Sequence, residues 1–161
     1  MEQKTFAKML KLIVIGAGIC GLFIYLYILP SYVYYFADEC HPGSANAYYW
    51  PWMIFLWMTA IPCYMVLVFG WKIAANIGND KSFSRENASL MKWIAWMAAG
   101  DSVFLFAGNI LFLGLNMNHP GIVLIVLVIV FAGAAITVVA AALSHLIYKA
   151  AVMQEESELT I

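Results

Sequence analysis

Asp101 is the residue whose chemistry fits its surroundings least. It lies eleven residues into an apolar run that begins at Leu90. At 1.5 Å per helical residue this is about 16 Å deep, near the midplane of a bilayer. A carboxylate there costs at least a few kcal/mol, so it is expected to face the protein interior or a water-filled cavity. Asp101 therefore marks a candidate site for a small cation, a proton or a polar group of a ligand.

Other polar or small side chains are predicted at a similar depth. Thr59 and Cys63 fall near the middle of their own apolar run, and Pro62 between them lacks the N–H that would bond a carbonyl one turn earlier. At 100° per residue, Asn109 falls within roughly 80° of the helix face that carries Asp101. The residues predicted to form the intramembrane site are Asp101, Ser102, Asn109, Thr59 and Cys63.

A structural role for Asp101 is the alternative. The sequence places no Lys, Arg or His at this depth, so the carboxyl group can be protonated and bonded to a backbone carbonyl or to Ser102. Polar side chains of this kind also hold small membrane bundles together. The sequence leaves both interpretations open.

A glycine motif in the first apolar run has the letters of a dinucleotide-binding loop. Residues 16–21 read GAGICG, but such a loop belongs to repeated βαβ units with amphipathic helices. The residues that follow, 22–29, are apolar on every side. We interpret the motif as a small-residue face for close helix packing, with residues 132–135 of the fourth run as its predicted partner.

The remaining chemistry-bearing residues form no enzyme or metal motif. Residues 38–41 read DECH, but four adjacent residues cannot easily converge on one ion. The sequence contains no Ser-His-Asp set, HExxH, Walker pattern or CxxC zinc pair. We therefore expect no enzymatic activity, no cofactor and no bound metal.

The elements that position these residues are predicted to be membrane helices. Only 11% of the residues are charged and 65% are hydrophobic, whereas a soluble domain is roughly one quarter charged. Four apolar runs each reach the roughly 20 residues that cross the bilayer as a helix. They are Met9–Leu29, Trp52–Ala74, Leu90–Leu115 and Gly121–Tyr148. We predict one all-α domain, a four-helix transmembrane bundle over residues 1–161.

The basic residues predict the orientation of this bundle. Lys and Arg precede the first run, surround the loop between the second and third, and follow the fourth, but none lies in 30–51 or 116–120. The positive-inside rule then places both termini in the cytosol, with a cytosolic loop at 75–89 and a cytosolic tail at 149–161. Residues 30–51 form the predicted outer loop.

Two cytosolic segments carry most of the exposed polar residues. In the loop, Ser82 or Ser84 can cap the third helix, and Glu86 suits its first turn. The tail, residues 154–161, reads QEESELTI, which is acidic with an apolar end. It can be a solvated extension of the fourth helix, or it can dock on the basic loop or on a cytosolic partner.

These two segments resemble one family of bacterial membrane proteins. The loop sequence KSFSREN at 81–87, followed by Leu90, is similar to the FS-x-EN loop of the YoaS-like family, domain of unknown function 2975, and the ending EESELTI resembles its terminus. The resemblance implies four spans over nearly the whole chain and a Gram-positive-type plasma membrane. It also implies a gene neighbour that encodes a small helix-turn-helix regulator of the Cro type, and it carries no established activity.

Two functions are therefore expected. The first is a regulatory membrane protein that holds a cytosolic partner, such as that regulator, through Phe83, Glu86, Asn87, Leu159 and Ile161. The second is an oligomeric carrier of a small molecule or ion, or a resistance or immunity factor, built around Asp101. With a net charge of −1, direct nucleic-acid binding is not expected. Membrane lipid is the remaining predicted partner, and a structural role in the envelope is a third possibility.

Overall fold

Four long helices make up the computed structural model, which describes residues 3–40 and 43–159. Each is long and apolar enough to cross a bilayer, over Gln3–Glu39, Ala45–Gly78, Arg85–Gly114 and Pro120–Ser157. The described residues contain no strand. The helical segments are α1 (Gln3–Phe23), α2 (Leu29–Cys40), α3 (Ala45–Gly78), α4 (Arg85–Gly114) and α5 (Pro120–Leu159). The prediction of an all-α chain with four membrane-spanning helices is confirmed.

The first spanning helix continues through Pro30 by widening rather than breaking. Residues Ile24–Ile28 between α1 and α2 form a π-helical turn, in which the Leu29 N–H bonds the carbonyl of Ile24. The next carbonyl, that of Tyr25, has no π-helical partner because Pro30 has no N–H. Trp57 Nε1 of α3 donates to it instead, at 3.3 Å.

The segment 30–51, predicted as an outer loop, is mostly helical. α2 continues to Cys40 and α3 begins at Ala45, and Pro51 lies inside α3, in its second turn, where it removes the bond that an N–H would make to the Ala47 carbonyl. The loop predicted to be cytosolic is likewise reduced to residues 79–84, and the tail is helical as far as Leu159. The apolar runs therefore mark the parts of the helices that suit the membrane rather than their full lengths.

Both α3 and α4 end in the same left-handed turn. Asp80 and Asn116 have φ of 59° and 54°. In each case the backbone N–H of this residue and that of the next one close back on the last helical turn, the latter from Lys81 N to Asn76 O at 2.9 Å and from Met117 N to Phe112 O at 2.8 Å. This is a Schellman motif, in which Asn and Asp replace the usual glycine. It turns the chain sharply and makes successive helices antiparallel neighbours.

The helices pack in chain order. α1 and α2 lie on α3, α3 on α4, and α4 on α5, and within the described residues α5 contacts no other helix. The glycine face of α1 therefore packs against α3: Gly18 lies beside Leu67, and Gly21 beside the hydroxyl of Tyr64. The predicted partner, residues 132–135, was wrong because α5 is separated from α1, and Gly133 lies against Ser102 of α4 instead.

Candidate functional site

A chain of polar contacts crosses three helical segments at the depth of Asp101. Its Oδ2 lies 3.9 Å from Cys63 Sγ, and Cys63 Sγ lies 3.8 Å from the hydroxyl of Tyr25. That hydroxyl is also 2.9 Å from Thr59 Oγ1. Tyr25 comes from the π-helical turn, Thr59 and Cys63 from α3, and Asp101 from α4.

The hydroxyl protons of this chain have defined directions. Thr59 Oγ1 donates its one hydrogen to the carbonyl of Leu56 at 2.7 Å, so the Tyr25 hydroxyl must be the donor towards Thr59. Cys63 Sγ donates towards Asp101. The tyrosine hydroxyl therefore has one proton to share between Thr59 and Cys63. Through the Cys63 thiol, the chain connects the carboxyl group of Asp101 to the hydroxyl group of Tyr25.

The other carboxyl oxygen of Asp101 has no partner. Its Oδ1 is buried and makes no hydrogen bond with any described residue. Asp101 also lines a cavity of about 240 Å³ between α3 and α4, whose other lining residues are Met58, Pro62, Trp96, Met97, Gly100 and Phe104. A buried acceptor without a partner is unusual in proteins, and here it belongs to a residue that borders a space large enough for an ion or a small polar group.

Two residues predicted for this site lie elsewhere. Ser102 Oγ donates to its own helix at the carbonyl of Ala98 and faces Gly133 of α5. Asn109 is only 1% exposed and accepts from Asn118 Nδ2 at 3.1 Å, so it ties the end of α4 to the loop before α5. Ser102 is next to Asp101 in sequence but about 100° away around the helix, which turns it towards a different neighbour.

Tyr25 is the member of the site that sequence reasoning missed. It lies in the π-helical turn Ile24–Ile28, and its hydroxyl contacts Thr59 of α3. The signal available in the sequence was Pro30, because a proline inside an apolar run requires a local change in helix geometry.

On the side of the basic residues, Asn87 has a different role from the one predicted. It is 1% exposed, its Nδ2 donates to the carbonyls of Lys81 and Ser82, and its Oδ1 accepts from Asn76 Nδ2 at 2.9 Å. Asn87 was predicted on the partner-binding surface, but it is buried and shapes that surface from beneath. The helix cap is confirmed as Ser84, whose Oγ accepts from Asn87 N.

The other predicted partner-binding residues are exposed where the structure describes them. Phe83 is 59% exposed, and Glu86 is exposed on the first turn of α4. Leu159 is the last described backbone position, and Ile161 lies outside the described residues. Between loop and tail, Arg85 forms a two-pronged ion pair with Glu155, with Nη2 to Oε2 at 2.6 Å and Nε to Oε1 at 3.0 Å.

Comparison with known proteins identifies the family of this chain. The family model described as Protein of unknown function (DUF2975) matches residues 32–161. A Bacillus subtilis (strain 168) protein, "Uncharacterized membrane protein YoaS", is 34% identical over 162 residues, which cover 99% of each chain. No solved structure is significantly similar. The match to the family model, together with a full-length relative that is itself a membrane protein, shows that the chain belongs to the DUF2975 family.

Proposed function

We propose that this protein is a non-enzymatic regulatory membrane protein that holds a cytosolic protein on the surface formed by loop 79–84 and the end of α5. The observation that supports this proposal most directly is the Arg85–Glu155 ion pair. It joins the loop to the tail helix although the two residues are 70 positions apart. An exposed pair contributes little to stability, so its main effect here is to hold two segments in one composite surface.

This surface has the features of a protein-binding site. Phe83 exposes a large aromatic ring three residues before acidic Glu86, and Glu155 and Glu156 are exposed acidic residues near the end of α5. Exposed aromatic residues are common anchors in protein interfaces. A small helix-turn-helix regulator, which is basic where it contacts DNA, fits an acidic surface with an apolar anchor. Ligand-dependent or membrane-dependent packing of the helices would control its release.

The proposal includes a bacterial plasma membrane location with both termini in the cytosol. All eight Lys and Arg residues fall at one end of the helices, and the positive-inside rule assigns that end to the cytosol. The homologous Bacillus subtilis membrane protein supports a multi-pass bacterial location.

A pull-down from solubilised membranes tests this proposal. The full chain should recover a small helix-turn-helix regulator from the cytosol, and Phe83→Ala should reduce recovery at least fivefold because the aromatic anchor is lost. Phe6→Ala is the matched control, since Phe6 is a 44% exposed phenylalanine outside the composite surface. Failure to recover the regulator with the unaltered chain would count against partner binding, as would equal losses in both variants.

The unpartnered Oδ1 of Asp101 favours a second candidate function. With the adjacent cavity and the Cys63–Tyr25–Thr59 chain, it is suited to carry a proton or small cation. Four helices are few for a carrier, so this function would require a homo-oligomer. A resistance or immunity factor would use the same site.

Flux into vesicles tests the second candidate. In liposomes that contain a pH-sensitive dye or a sodium indicator, the unaltered chain should pass one of the two ions, and Asp101→Asn should abolish the flux. Ser102→Ala is the control, because Ser102 faces α5 and not the cavity. Flux that persists in Asp101→Asn, or that never exceeds empty vesicles, would exclude this function.

A further inference from the structure

A groove of about 700 Å³ lies between α4 and α5 at the end where the basic residues are found. Only these two helices line it, and within the described residues no third helix covers it. It is separate from the Asp101 cavity, although Trp96 borders both. No part of the proposed partner binding or ion transport uses it apart from Arg85.

One end of the groove is cationic. Arg85, Lys92 and His145 line it together with the aromatic side chain of Tyr148. The Arg85 guanidinium lies 5.8 Å from the Tyr148 ring centre. Among the described residues Lys92 forms no ion pair, and its side chain is exposed. Two basic side chains, Arg85 and Lys92, with an imidazole and an aromatic ring that has a polar edge, suit a phosphate at the level of lipid headgroups.

Apart from Trp96, the rest of the groove is lined by small residues. Ala95 and Ala99 of α4 face Thr137 and Ala141 of α5, which leaves a narrow apolar trough. From Arg85 to Ala99 the trough extends fourteen residues, or about 20 Å at 1.5 Å per residue. One leaflet of the hydrocarbon core is about 15 Å thick. The groove therefore has the length and the polarity gradient of a phospholipid with its chain along the helices.

We propose that this groove binds one anionic phospholipid from the leaflet on the basic side of the membrane, with its phosphate between Arg85, Lys92 and His145 and an acyl chain along Ala95, Ala99 and Ala141. A second copy of the chain fits less well, because two such cationic mouths would meet each other. Free phosphate would leave the apolar trough unoccupied. The lipid explains both ends of the groove at once.

The phosphate would share Arg85 with Glu155. Both carboxylate oxygens of Glu155 already bond the guanidinium, so Glu155 competes with the lipid for this cation. Loss of the carboxylate charge in Glu155→Gln should therefore strengthen lipid binding. This relation connects the lipid site to the tail, but the site itself does not depend on whether a protein partner binds there.

Native mass spectrometry of the full chain in detergent tests the site directly. After delipidation, the protein is titrated with phosphatidylglycerol and with phosphatidylcholine of the same acyl chains. The first phosphatidylglycerol should bind at least fivefold more tightly. Lys92→Gln should weaken it about fivefold, which corresponds to the about 1 kcal/mol that a basic residue contributes near an anionic surface. Lys149→Gln, which removes a nearby charge outside the groove, should leave binding unchanged.

A second pair of variants tests the trough without changing any charge. Ala141→Leu fills the groove and should abolish tight binding of the first lipid, whereas Ala142→Leu places the same side chain about 100° away on α5 and should not. Equal affinity for the two lipids would overturn the proposal, as would lipid binding that survives both Lys92→Gln and Ala141→Leu. Displacement by millimolar glycerol 3-phosphate would identify a free-phosphate site instead, and a dimer cross-linked across α4 and α5 in lipid-free protein would identify a second copy as the occupant.

Discussion

Asn87 is a single buried amide that controls the shape of the loop above it. It uses both of its side-chain groups, donating to two loop carbonyls and accepting from Asn76 of α3. An exposed loop of six residues, 79–84, has few other means of holding one conformation. The conformation of Phe83 therefore depends on a residue that no partner can touch in this structure.

The loss of this amide should destabilise the protein measurably. Asn87→Ala removes three hydrogen bonds and leaves the Asn76 amide without its acceptor, at about 0.5 to 1.5 kcal/mol per bond. We expect a loss of about 2 to 4 kcal/mol in the free energy of unfolding, measured by thermal or denaturant unfolding in detergent. Ser89→Ala, an exposed position on the next turn, should change it by less than about 0.5 kcal/mol. Equal stability of the two variants would show that the loop is held by other contacts.

For single residues, the sequence predicted the depth in the membrane better than the neighbouring residue that each side chain contacts. Asp101, Thr59 and Cys63 were grouped correctly because depth can be counted along each helix. Ser102 and Asn109 were not separated from them, since direction around a helix becomes meaningful only when the neighbouring helix is known. Depth is a local property of one helix, whereas the facing partner is a property of the packed molecule.

Among the elements, α3 and α4 are held together by an aromatic cluster over one glycine. The ring of Phe55 lies 4.9 Å from that of Phe104 and 5.3 Å from that of Phe112, measured between ring centres. Its edge occupies the space that a Cβ atom on Gly108 would need. Glycine lets the two backbones approach closely, which is how membrane helices gain packing energy without a hydrophobic driving force.

A methyl group at position 108 should therefore separate the two helices. Gly108→Ala would force the 8% exposed Phe55 ring out of its aromatic cluster, and overpacking of this kind costs about 1 to 3 kcal/mol. Gly100→Ala in the same helix meets no atom within 4 Å and should instead raise stability by about 0.5 to 1 kcal/mol. Denaturant unfolding of the two variants in detergent should therefore shift in opposite directions, and a shift in the same direction would contradict the packing described for Phe55.

The elements themselves were largely predictable, and their ends were not. The length of an apolar run identifies a membrane helix because the run must match the thickness of the hydrocarbon core. The length of the apolar run does not say how far the helix continues into water. Residues 30–51 contain three prolines and many polar side chains, which favour a loop. The helix accommodates Pro30 with a π-helical turn, in which Trp57 Nε1 bonds the Tyr25 carbonyl, and α3 accommodates Pro51 with the loss of one backbone hydrogen bond.

For the whole molecule, the contacts place every basic segment at the same end. Gly78 lies beside Ala7, Lys11 lies over the Trp71 ring at 5.2 Å, and Arg85 binds Glu155. The start of α1, the end of α3, the start of α4 and the end of α5 are therefore neighbours. At the opposite end, Trp52 Nε1 donates to the carbonyl of Met117 at 2.8 Å, far from any Lys or Arg. The charge asymmetry seen along the sequence is thus a property of the folded molecule.

This one-sidedness makes the orientation testable with two single cysteines. In a chain without Cys20, Cys40 and Cys63, Ala47→Cys at the non-basic end should react with a membrane-impermeant maleimide added to intact cells, because the positive-inside rule places that end outside. Asp80→Cys, in the loop at the basic end, should react only after the cells are permeabilised. Both positions are exposed, so a difference in labelling reports the side of the membrane and not burial. The reverse pattern would place Phe83 and Glu155 on the outer side, where no cytosolic regulator can reach them, and the proposed partner surface would have to be abandoned.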